Sequence, residues 1–185
     1  MSLARRRVLL SLPLALTAVG GVGFYDILRR MRAGDYNPHA VPSPLIGSPP
    51  PPFDLPGLVG LPGVSSRALR ALGTPLLVNW FASWCGPCQQ ETSILKELNA
   101  AGLCIWGIAY EDKPSAVKRF LQNFGNPYQR LGADQNGLTA INWGVYGVPE
   151  SYLVDKTGIV RWRYAGPLTK SVTSQYLIPL LKRYT

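Results

Sequence analysis

Histidine and cysteine are almost missing from this chain: one His and three Cys in 185 residues. So few cysteines exclude the disulfide framework on which small secreted scaffolds depend. A tetrahedral zinc site would need Cys85, Cys88, Cys104 and His39 to converge, and His39 lies in a proline-rich stretch with no core of its own. Acidic residues are scarce as well, ten against nineteen Lys and Arg, for a net charge of +9. That excess is not a nucleic-acid footprint, because no dense basic run follows Arg32. The length suits one domain with a proper core plus an appendage, and two full domains would be a squeeze.

What is present begins at the N-terminus. Arg5, Arg6 and Arg7 precede an uncharged run from Val8 to Tyr25, after which Asp26, Arg29, Arg30 and Arg32 return to water. The run is short for a spanning helix but longer than a usual signal-peptide core, and no A-x-A-like cleavage site closes it. Residues 1–32 are therefore expected to form a retained membrane signal anchor, the alternative being a cleaved export signal suggested by Arg6-Arg7. Residues 33–52 hold seven prolines and no hydrophobic period, which predicts a semi-rigid extended tether. Residues 53–185 are the expected folded domain.

Within that domain, signals for strands and helices alternate. PLLVNWFA (75–82) and LCIWGIAY (103–110) read as buried strands, each followed by a helix, over 85–100 and 114–124. SYLVDKTGIVRWRY (151–164) reads as a hairpin with its turn at Asp155 to Gly158, and a last amphipathic helix is expected over 169–183. The order β-α-β-α-β-β-α implies an α/β fold with a central mixed sheet covered by helices on both faces. Cys104, read as lying inside an apolar strand, is expected to be an inert core residue.

Cys85-Gly86-Pro87-Cys88 carries the chemistry. Cys85 follows a strand and opens a helix, where unpaired N–H groups and the positive end of the helix dipole stabilise a thiolate. Cys88 lies one turn deeper, placed to attack a mixed disulfide formed at Cys85. Pro87 removes an N–H that has no helical partner at that position and stiffens the turn. Three other readings are weaker. Metal binding lacks ligands, and a structural staple across two residues closes almost no loop. A peroxidase has no use for a partner cysteine so close behind its reactive one.

The run Trp80-Phe81-Ala82-Ser83-Trp84-Cys85-Gly86-Pro87-Cys88, followed by Gly147-Val148-Pro149, resembles the thioredoxin superfamily over about residues 53–185. GNPYQRLGADQNG (125–137) and WGVYGVPESYLVDKTGIV (143–160) resemble, more closely, the membrane-anchored thiol-disulfide proteins of cytochrome c maturation, the DsbE or CcmG type. That resemblance implies a thioredoxin-like fold, a redox-active Cys85–Cys88 disulfide and a cis bond between Val148 and Pro149. It also implies a periplasmic domain on a single-pass inner-membrane anchor. The substrate it implies is apocytochrome c or a thiol protein of the same pathway, with a membrane thiol carrier as electron source and no cofactor. Trp84, Gly86, Pro87, Asn79, Glu91, Tyr146, Val148, Pro149 and Glu150 are then the expected support and substrate groove.

Two departures matter. Asn79 stands where thioredoxin has a buried aspartate, and an amide cannot accept the proton Cys88 must lose; Glu91 and Glu150 are the candidates to replace it. Each also has a bland reading, Glu91 as an early-turn helix charge and Glu150 as a solvated strand start. Gly86-Pro87 is the dipeptide of thioredoxin rather than of many maturation relatives, which favours a reductant. A general periplasmic thioredoxin-like reductase remains an alternative. A copper-delivery module is another, although such relatives space their cysteines one residue wider and add a domain histidine.

Overall fold

A computed structural model describes residues 20–26, 28–29 and 43–184. Residues 20–26 and 28–29 are helical. Among the described residues no helix is long and apolar enough to cross a membrane. Most of the expected anchor and the first ten residues of the expected tether, 33–42, lie outside them.

The remaining residues build a five-stranded sheet in the order β5-β4-β3-β6-β7. The strands are β3 (Leu76–Phe81), β4 (Cys104–Tyr110), β5 (Arg130–Asp134), β6 (Glu150–Val154) and β7 (Val160–Ala165). The first three are mutually parallel, and β6 and β7 run antiparallel to their neighbours. A small hairpin of β1 (Asp54–Leu55) and β2 (Val64–Ser65) precedes them. Helices α1 (Ser66–Ala71), α2 (Gly86–Ala100), α3 (Pro114–Phe124) and α4 (Leu138–Trp143) fill the crossovers. The chain closes with α5 (Lys170–Val172), a π-helical turn (Thr173–Leu177) and α6 (Ile178–Tyr184).

Both faces of the sheet are covered, which explains why β3 is apolar without alternation: all six of its residues are buried. Leu77 and Phe81 join Leu95 of α2 and Val117 and Phe120 of α3 in one core. Leu76, Val78 and Trp80 join Leu69, Trp143 and Tyr152 in the other. Asn79 shares the side of β3 that faces α2, and this register decides what it can meet.

Three expectations change. The strand-helix order lacked the β1–β2 hairpin and α1 ahead of β3, and β5 and α4, which occupy the segment between α3 and Pro149. The expected final helix is interrupted by the π turn. The second half of the expected tether belongs to the domain: Gly47 donates to the Val160 carbonyl (2.8 Å), and Val160 donates back to Ser48 (3.0 Å). Leu45 packs on the core and Pro50 is buried, so one apolar side chain and two free backbone groups among the prolines are enough to dock the segment. Cys104 is a further correction. It is the first residue of β4 and only half-buried: it packs against the edge of the core and also lines a surface cleft with Leu98, Leu103, Ile178 and Leu181.

Candidate active site

Cys85 caps α2: its backbone is extended (φ −89°, ψ 106°), and the Cys88 N–H donates to its Sγ at 3.1 Å. The unpaired first-turn donor predicted to hold a thiolate is therefore aimed at the Cys85 sulfur. Cys85 and Cys88 are joined in a disulfide, and both are buried. Trp84, Gly86 and Pro87 stay exposed around them, Trp84 by 60%. The loop before Cys85 is fixed from β4's end, where Asp112 accepts from the Ser83 N–H (2.5 Å) and hydroxyl (3.0 Å).

Opposite the pair, the Val148–Pro149 peptide is cis, as the resemblance implied. The Val148 carbonyl oxygen lies 3.5 Å from Cys85 Sγ. Tyr146, three residues before Pro149, is 60% exposed, and its ring lies against the Arg163 guanidinium at 4.7 Å.

Below the cysteines runs a buried polar chain. Asn79 Nδ2 donates to Glu91 Oε1 (2.9 Å) and to Ser151 Oγ (3.1 Å), and its Oδ1 accepts from the Tyr128 hydroxyl (2.7 Å). The other Glu91 oxygen accepts from the Leu168 N–H at 2.7 Å. Glu91 is 1% exposed and lies beyond the first turn of α2, so it is not an early-turn helix charge. Burial pushes its carboxyl up to about 7, against the opposing pull of Leu168 and Asn79. Tyr128, fully enclosed, has its hydroxyl pushed well above the ordinary phenol range by burial and by Glu91, so it stays a donor. A buried carboxyl on α2, one turn after Cys88, is thus held by the amide at position 79 of β3.

Glu150 is fully buried, not a solvated strand start. Its Oε1 accepts from Arg163 Nε and from the Tyr152 hydroxyl, each at 2.5 Å. Arg163 Nη2 also reaches the Gly144 carbonyl at 3.4 Å, so one guanidinium spans both sides of the cis-proline segment. Tyr128, Ser151, Tyr152 and Arg163 went unrecognised in the sequence. The one available signal was the pair of charges, Arg161 and Arg163, in an otherwise strand-like VRWRYA, and it does not say which of the two turns inward. Among the described residues no three His, Cys, Asp or Glu side chains converge as a metal-ligating group.

The pattern has close counterparts. The Redoxin family matches residues 47–177. The thiol:disulfide interchange protein DsbE of Yersinia pestis is 36% identical over 176 residues, 95% of this chain and 93% of that protein. HelX of Rhodobacter capsulatus, also a thiol:disulfide interchange protein, is 38% identical over 174 residues, 94% of this chain and 95% of its own. Among solved structures, a thiol-disulfide oxidoreductase from Bacteroides fragilis superposes with a TM-score of 0.61 at 25% identity, covering 72% of this chain and all of that one. The chain belongs to the Redoxin family, within its thiol:disulfide interchange proteins, and has a thioredoxin-like α/β fold.

Proposed function

We propose that this protein is a membrane-anchored periplasmic reductant of protein disulfides serving cytochrome c maturation. Residues 1–32 are the anchor, residues 33–42 the tether, and the cysteine domain begins near Ser43. In its dithiol form the Cys85 thiolate attacks one sulfur of a substrate disulfide, and the other substrate sulfur leaves as a thiolate. Cys88 loses its proton and attacks Cys85 Sγ, releasing the second substrate thiol and leaving the Cys85–Cys88 disulfide. Two electrons pass to the substrate, and a membrane thiol carrier returns two to the pair. The substrate of this reading is the haem-attachment disulfide of apocytochrome c or a thiol protein of its pathway.

Glu91 takes the proton of Cys88: a carboxyl raised to about 7 accepts and returns protons near neutral pH, which the Asn79 amide cannot do. The Val148 carbonyl and the exposed rings of Trp84 and Tyr146 line the groove in which an extended substrate segment lies, and Glu150 with Arg163 holds its cis-proline wall. The observation that carries the reading is the convergence of a helix-capping Cys85, the Val148 carbonyl and a buried Glu91 held by Asn79. The test is a trap in the full chain. Cys88→Ser leaves Cys85 unable to release its partner, and mass spectrometry of the mixed disulfides should find apocytochrome c or a maturation thiol protein. Capture only of unrelated periplasmic proteins would favour a general reductase instead.

A further inference from the structure

The end of the sheet away from the cysteines has a character of its own. Leu76, Cys104, Val154 and Val160 meet there across the register. From that line β3 runs six residues, about 20 Å, to Phe81 and the cysteine loop. The chain joins the domain at this same end, through Gly47 and Ser48 on Val160.

The two ends differ in charge. At the cysteine end the acids Glu150 and Asp134 are buried and engaged, Glu150 by Arg163, and Asp112 holds Ser83 beside the exposed Lys113 and Arg119, so acids and cations offset one another there. At the opposite end the exposed side chains of Arg70, Lys156, Lys182 and Arg183 surround the β6–β7 turn and α6; Arg70 lies along Gly158 of that turn. Asp155, the carboxylate of the turn, is already engaged by Arg161 at 2.6 Å and by Thr157 and Ile159. Beside these cations, Ile178 is 39% exposed, and Leu181 and Pro75 flank the apolar cleft.

We propose that this basic, partly apolar end docks on a membrane surface through anionic lipid headgroups, turning the cysteine pair toward the aqueous side. The inference rests on the anchor reading above. Ten residues, 33–42, separate Arg32 from Ser43 and span at most about 36 Å fully extended. A chain so short, entering at the basic end, keeps that end at high local concentration over the bilayer. Cations near an anionic leaflet are attracted, and the attraction dies away within a Debye length of about 8 Å at physiological salt. Two features, the entry point and the cluster of exposed cations around it, therefore favour one orientation.

The full chain, reconstituted in nanodiscs, tests this. A fluorophore is placed by an unnatural amino acid either at Thr74, exposed at the basic end, or at Gln90, exposed beside the cysteines, with an acceptor dye on the lipid. In discs of phosphatidylcholine with phosphatidylglycerol, transfer from Thr74 should exceed transfer from Gln90. That difference should fall at least twofold in pure phosphatidylcholine, in molar salt and in the Arg70→Glu/Lys182→Glu/Arg183→Glu variant. Retained disulfide-exchange activity certifies the fold of this variant. Equal transfer from the two positions overturns the proposal, as does a difference insensitive to lipid charge and to the triple reversal, which the short tether alone would give. A chain that never enters the discs removes the anchor reading and the docking with it, whereas incorporation with equal transfer removes the docking alone.

Discussion

Glu91 and Asp155 are both carboxylates withdrawn from solvent, one under the cysteine pair and the other at the end where the chain enters the domain. Their surroundings differ. Asp155 receives Arg161 at 2.6 Å, the Thr157 hydroxyl at 2.6 Å and the N–H groups of Thr157 and Ile159. Its burial opposes ionisation, but these donors prevail and hold the carboxyl down at about 2. Glu91 receives one amide and one backbone N–H and no cation, and burial prevails, lifting it to about 7. A turn is thereby locked with a permanent charge, while the cysteine end keeps a group whose charge is undecided at neutral pH. The donor set, more than depth, separates a structural acid from a proton-exchanging one.

The strongest break of this comparison is at the cysteine end itself. Cys85→Ala should reduce disulfide exchange with a model substrate by at least about 10^3-fold while leaving thermal stability near that of the reduced wild type. Next, Arg163→Met strands Glu150 in the core and should cost about 3–5 kcal/mol in urea unfolding. Adding Glu150→Gln should recover part of that loss, because the stranded charge is the source of it.

Glu91→Gln sharpens the contrast through pH. The folded protein binds the Glu91 proton more tightly than the unfolded chain, so this stability is present in acid and lost as pH rises from about 4.5 through about 7. The loss amounts to roughly 3 kcal/mol, and the variant should show no such slope in denaturation profiles. The same variant should lose the inflection near pH 7 in the rate at which Cys88 resolves a mixed disulfide. Asp155 has the opposite sign: its stability holds at neutral pH and is lost as pH falls from about 4 to about 2. Asp155→Asn should cost about 2 kcal/mol at neutral pH and remove that acid transition. Smallest, Gly47→Pro deletes the donor to Val160 at a residue with φ +86°, which proline cannot adopt. The expected cost is about 1 kcal/mol, with faster proteolysis ahead of Phe53.

Much of this was legible from the sequence, for reasons particular to each element. β3, α2, β4 and α3 have unbroken apolar runs or clean helical spacing, and their observed bounds fall within a residue or so of expectation. β5 was not, because RLGAD opens on an arginine and contains Gly132. A Cβ at Gly132 would meet Val64 Cγ2 at 2.3 Å, so that glycine is required by a hairpin some seventy residues earlier. α4 is six residues between two left-handed glycines, Gly137 and Gly144, with threonine and asparagine inside, and no periodicity can emerge over that length. The cysteine pair was found by its spacing, whereas the cis bond before Pro149 was expected only through the resemblance, since Val-Pro by itself reads as a turn before a strand. The burial of Glu91 and Glu150 was not, since acidic residues are ordinarily on the surface, and only the register that turns Asn79 toward α2 brings Glu91 its partner.

The proposed role of the cysteine end is that of an electron donor, and its potential tests that most directly. The full chain, equilibrated at pH 7 with graded ratios of reduced and oxidised glutathione or thioredoxin, should give a Cys85–Cys88 reduction potential nearer thioredoxin, at about −270 mV, than DsbA, at about −120 mV. A value at or above that of DsbA would make the pair an oxidant and contradict the account.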